Sequence, residues 1–65
     1  MNIIVNGEPR QVTAPDLAGA LAELGYGGAR VATAVNGAFV PAGARAGQAL
    51  AEGDRVEVLA PRQGG

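Results

Sequence analysis

A chain of 65 residues makes one domain, and a core of that size supplies only about 3–5 kcal/mol, which argues against a large active-site cavity. It contains neither cysteine nor histidine, so disulfides, thiol nucleophiles, typical zinc sites and imidazole bases are ruled out. A net charge of −1 with one Phe and one Tyr offers nothing to nucleic acid or an anionic membrane, while 48% hydrophobic residues suffice for a packed core.

The opening MNIIVNGE lacks the charged and long apolar regions of a signal peptide. No apolar run approaches the roughly 20 residues of a membrane span, so a soluble, cytoplasmic protein is expected. Ile3, Ile4 and Val5 form a β-prone run that meets Asn6-Gly7, a strong signal for a type I′ turn, so the chain reverses there. Arg10 to Thr13 is expected to pair back as a second strand, after Pro9 at its start. From Asp16 the period changes: Leu17, Ala20, Leu21 and Leu24 fall on one stripe of a helix that faces the sheet. Thr13 is the candidate N-cap, with Asp16 completing a weak capping box, Pro15 in the first turn and Gly25 at the C′ position. Gly19 lies inside the helix at a cost of about 1 kcal/mol against alanine.

Val31 to Val35 is β-prone and meets a second Asn-Gly, Asn36-Gly37, predicting a third strand and a short fourth around Phe39 and Val40 that Pro41 stops. Ala42 to Leu50 shows no clear period, and a short helical turn is expected at Gln48 to Leu50. Gly53-Asp54 turns into a last strand, Arg55 to Leu59, with Val56 and Val58 toward the core and Arg55, Glu57 and Leu59 facing the other way. The order ββαβββ is that of an α+β, ubiquitin-like β-grasp: a mixed sheet of four to five strands on one helix, its first and last strands central and parallel. Residues 1–59 are expected to form this domain and residues 60–65 a flexible tail.

The terminal Gly64-Gly65 is the place where chemistry could sit, although a Gly-Gly end alone also fits a frayed terminus. Without Cβ atoms, such an end threads through a slot only as wide as the backbone. From Ala60 the tail spans up to about 20 Å, enough to put Gly65 in a partner's active site while the body stays outside. The chemistry that uses such an end is carboxyl activation. Attack of the carboxylate on the α-phosphorus of ATP gives an acyl-adenylate and pyrophosphate, and sulfide then replaces AMP to leave a thiocarboxylate. None of this needs a side-chain base, metal or nucleophile on the small protein.

Met1 to Glu8, Val31 to Gly37 with Phe39-Val40-Pro41, Glu52 to Glu57 and Pro61-Arg62-Gln63-Gly64-Gly65 together resemble the thiamine-biosynthesis sulfur carrier family. The resemblance spans nearly the whole chain in family order and departs at Ala42 to Ala49, where family members often carry larger, more polar residues. It implies a non-enzymatic carrier, monomeric when free, whose Gly65 carboxylate is adenylated and thiolated. Its implied partners are an adenylating enzyme of the ubiquitin-activating type and thiazole synthase, with sulfur originating from a cysteine desulfurase. No bound cofactor or metal is implied; ATP is used by the activating partner. The alternatives are the small subunit of molybdopterin synthase, a ubiquitin-like protein modifier and an interaction module whose Gly-Gly is incidental.

Near the tail, Leu59 should point away from the core as a partner contact, and Phe39 on the neighbouring hairpin either joins it or fills the core. Pro61, Arg62, Gln63 and Gly64 are expected to lie along the partner, with Arg62 able to bond acidic or carbonyl groups or to remain solvated. The carboxylates Asp16, Glu52, Asp54 and Glu57 form no acid–base constellation and suit capping, turn and surface roles. All five basic residues are arginine. That is either a compositional bias or a way of keeping amines from an activated acyl end.

Overall fold

The computed structural model describes residues 1–61; Arg62, Gln63, Gly64 and Gly65 lie outside the described residues. Two Asn-Gly turns organise the sheet. φ is 50° and 83° at Asn6-Gly7 and 50° and 85° at Asn36-Gly37, the consecutive positive values that a type I′ hairpin turn requires. The first joins β1 (Asn2–Val5) to β2 (Glu8–Gln11), and the second joins β3 (Ala32–Val35) to β4 (Ala38–Val40). β5 (Arg55–Leu59) completes a five-stranded sheet in the order β2-β1-β5-β3-β4, parallel between β1 and β5 and antiparallel elsewhere.

The second strand begins at Glu8 and ends at Gln11, not Arg10 to Thr13, because a two-residue turn lets Glu8 pair with Val5 at once. Pro9 therefore sits inside β2. An edge strand tolerates it: its partner Ile4 turns its N–H the other way, to Asp54 O just before β5, so no donor from Pro9 is needed across the pair. β3 likewise begins one residue later than expected, at Ala32, and the Val31 carbonyl instead accepts from Arg45 Nη2 at 2.6 Å.

The helix α1 spans Leu17–Glu23 and is capped by Asp16 rather than Thr13; Asp16 Oδ1 accepts from Gly19 N at 2.8 Å. Pro15 explains the shift, since it disfavours helical backbone at Ala14 and delays the helix start. At the other end Tyr26 N donates to Leu21 O and Gly25 N to Ala22 O, with Gly25 at φ 94°, which is a Schellman motif. Leu17, Ala20 and Leu21 are buried, and Leu24 is half-buried against them. Leu17, with no exposed surface, contributes about 1.5–3 kcal/mol by its burial. The same core takes Ile3 and Val5 of β1, Val12, Val35, Val40, Leu50, and Val56 and Val58 of β5.

The helical turn lies at Ala42–Gly47, as a 3₁₀ segment, and not at Gln48 to Leu50. Those three residues run extended beside the start of α1: Leu17 N donates to Gln48 O and Leu50 N to Pro15 O, each at 2.9 Å. The first helical N–H thus finds a partner that α1 cannot supply, and Leu50 enters the core. Arg45 ties the 3₁₀ segment to β3 through Nε to Thr33 Oγ1 at 3.0 Å, and Thr33 in turn donates to Val40 O at 2.8 Å. Among the described residues no helix is long and apolar enough to cross a membrane.

Candidate functional site

Strand alternation divides the sheet into a face against α1 and a face turned to solvent. With Val56 and Val58 buried, period 2 sends Glu57 and Leu59 outward; with Thr33 and Val35 buried, it sends Ala32 and Ala34 outward. Val40 is buried, so Phe39 also faces out. The core-filling reading of Phe39 is overturned by its 70% exposure, and Leu59 is 75% exposed.

Register brings these residues together. Ala34 lies between Phe39 on β4 and Glu57 on β5, and Ala32 lies opposite Leu59. Two alanines thus form the floor of a shallow groove whose walls are Phe39 on one side and Glu57 and Leu59 on the other. Beyond Leu59 the depression continues along Val31, Ala60 and Pro61, toward the point where the described chain ends. An uncovered apolar patch of this kind, edged by charge, has the character of a docking surface. Phe39, Leu59 and Pro61 therefore share one face of the molecule. Arg62, Gln63, Gly64 and Gly65 fall outside the described residues.

The carboxylates have structural work. Thr13 N, the Thr13 hydroxyl and Ala14 N donate to Glu23 at 2.9, 2.9 and 2.6 Å, and these bonds, Thr13 N foremost, hold its carboxyl below the ordinary value. Asn2 N and then Asn2 Nδ2 do the same for Glu52, and Asn36 Nδ2 and then Ala51 N for Asp54. Asp16 is occupied as the helix cap. Among the described residues no three His, Cys, Asp or Glu side chains group in a way that could hold a metal ion.

Sequence reasoning missed the groove floor, Ala32 and Ala34, and the place of Glu57 in its wall. The outward alternation of the alanines was readable. What made them a floor was the register with Phe39 and Leu59, which strand periodicity does not specify.

The ThiS family model matches residues 3–65. A crystal structure of the thiamine biosynthesis protein ThiS from Geobacter metallireducens is 32% identical, superposes with a TM-score of 0.81, and is aligned over 100% of both chains. A search of the curated proteins found no match. With a family match over nearly its full length and the same sheet-and-helix architecture, this chain belongs to the ThiS family of ubiquitin-like β-grasp sulfur carriers.

Proposed function

We propose that this chain carries sulfur for thiamine biosynthesis on the carboxyl group of Gly65, for delivery to thiazole synthase. The observation that carries the reading is that the family match runs through Gly64-Gly65. The groove between Phe39 and Leu59, which leads to Pro61, supports it as a surface on which an activating enzyme can seat the body while the last residues reach its active site.

In the first step a Gly65 carboxylate oxygen attacks the α-phosphorus of ATP. The bond from that phosphorus to the bridging oxygen breaks, and pyrophosphate leaves. In the second, sulfide attacks the acyl carbon of the adenylate, the bond to the AMP oxygen breaks, and the sulfide proton passes to solvent or a partner base. A thiocarboxylate and AMP result. The partners supply the catalytic groups and the sulfur, which originates as a persulfide on a cysteine desulfurase and reaches the sulfide level by reduction with a thiol that ends as a disulfide; ATP is the co-substrate. This chain supplies the reacting carboxylate and the surface that presents it.

The test is ATP–pyrophosphate exchange by the adenylating partner, run beside a melting curve for each variant. Deleting Gly65 withdraws the carboxylate by about 3.5 Å, out of in-line reach. A bulky residue at position 64 blocks a backbone-wide slot. Exchange is expected to collapse in both variants while stability stays within about 0.5 kcal/mol. Full exchange by the Gly65 deletion would rule out its carboxylate as the reacting group. A sulfur-for-oxygen mass change on the terminal peptide from cells supports the carrier, whereas conjugates to target lysines would indicate a modifier. Assembly with the large subunit of molybdopterin synthase in place of thiazole synthase would make this chain the small subunit of that enzyme.

A further inference from the structure

The parallel pairing of β1 with β5 ends in a side chain. The carbonyls of Asp54, just before β5, and of Val56 on it accept from Ile4 N and Asn6 N, both at 2.9 Å. β1 then reverses at Asn6-Gly7 and has no further backbone to offer Val58, which is only 6% exposed. The carboxamide of Asn6 fills that step. Its Oδ1 accepts from Val58 N at 2.8 Å and its Nδ2 donates to Val58 O at 3.1 Å, reproducing both halves of a peptide group. One residue later Leu59 pairs with Ala32 of β3, on the opposite side of β5.

We propose that Asn6 is a positioning residue for the reacting end. Its carboxamide fixes the last point at which β5 is held from the β1 side, and so sets the direction in which the chain leaves the body after Leu59. The requirement is narrow. At φ 50° most side chains are strained and glycine is not, but glycine has no carboxamide. Aspartate keeps the acceptor for Val58 N and loses the donor for Val58 O.

The second turn provides a matched control. Asn36 has the same φ of 50°, and its carboxamide also bonds β5, accepting from Arg55 N and donating to Asp54 Oδ1, each at 3.0 Å. Those contacts lie at the start of β5, the end away from the tail.

This proposal rests on the carrier reading, and the experiment separates the two. Full-length chains carrying Asn6→Gly, Asn6→Asp or Asn36→Gly are compared by melting, by amide hydrogen exchange and as substrates of the adenylating enzyme. Both glycine variants should stay folded and lose comparable stability. Asn6→Gly should speed exchange at the Val58 amide. It should also lower turnover at saturating carrier by about tenfold to a hundredfold, a larger effect than any rise in KM from losing the Asn6 side chain at the edge of the groove, because Phe39 and Leu59 still dock while the carboxylate is misplaced. Asn6→Asp should keep Val58 protected and fall between, and Asn36→Gly should keep its turnover. Equal turnover for Asn6→Gly and Asn36→Gly would overturn the positioning role. A wild-type chain that is not adenylated would overturn the carrier reading itself, and would do so before any variant is compared.

Discussion

Gly19 sits in the interior of a seven-residue helix, where propensity favours alanine by about 1 kcal/mol. Packing reverses that preference. A Cβ at position 19 would stand 2.6 Å from the Cβ of Ala14 and 3.4 Å from Asp16 Oδ1, the oxygen that caps the helix. Ala14 is held there in turn by its N–H bond to Glu23. Gly19→Ala is therefore expected to destabilise the domain by about 1–3 kcal/mol, as overpacking does. Adding Ala14→Gly should recover much of the loss, since it removes the clashing atom. Chemical denaturation of the single and double variants decides the matter; a Gly19→Ala protein as stable as the wild type would mean that the segment before α1 yields without cost.

At the scale of elements, three carboxylates join segments that the sheet does not join. Glu23 holds the Thr13–Ala14 connection to the end of α1, Glu52 holds Asn2 of β1, and Asp54 links the turn before β5 to Asn36. Their ordinary values are 4.5 for the two glutamates and 3.8 for the aspartate, and donated hydrogen bonds lower all three in the fold. With depressed folded values, the unfolded chain binds protons first as pH falls. Their stabilisation is thus complete above the ordinary values and is lost as pH drops through the folded ones. Stability should be level from about pH 7 to about pH 5 and decline below that, with a shallower decline in Glu23→Gln. An unchanged acid slope in that variant would show that the Glu23 bonds do not contribute. The outer face of the sheet should respond in the opposite manner. Phe39→Ala and Leu59→Ala remove exposed side chains, so melting should move by no more than about 0.5 kcal/mol. Each should nonetheless weaken binding of the activating partner by about 1–2 kcal/mol if the groove is its docking surface. Titration calorimetry with unchanged affinity in both variants would remove the groove from the site.

For the molecule as a whole, the distribution of nucleophiles suits a carrier of an activated acyl group. The sequence has no lysine, cysteine or serine. Both threonine hydroxyls are engaged, Thr13 with Glu23 and Thr33 with Val40 O. Arginine stays protonated and is a poor acceptor of an acyl group, whereas an exposed lysine on a neighbouring carrier is a competent one. Arg10, Arg30 and Arg55 are exposed, while Arg45 is bound to Thr33 and Val31 and should be left in place. Exchanging those three for lysine and incubating with ATP and the activating enzyme should produce carrier–carrier cross-links that the wild type does not form. The readout is a denaturing gel with mass spectrometry of the linked peptides. No cross-linking by the lysine variant would leave composition as the explanation of the arginines.

The element order, both hairpin turns, the helix stripe and the bounds and faces of β5 were legible because each is written in neighbouring residues. Asn-Gly needs only its own backbone to form a type I′ turn, and the alternation of Val56 and Val58 with Glu57 and Leu59 needs only the pleat of a strand. The resemblance to the family was likewise carried by motifs in chain order. The rest depended on partners distant in the sequence. Gln48 to Leu50 run extended because the first N–H of α1 lacks an acceptor within its own helix, and the 3₁₀ segment is held by Arg45 reaching Thr33. Gly19 became a necessity only when Ala14 was laid against it. The groove between Phe39 and Leu59 exists because three strands meet in one register. Local preference chooses the conformation of a few adjacent residues, but burial and hydrogen-bond satisfaction are settled between segments, after the chain has brought them together.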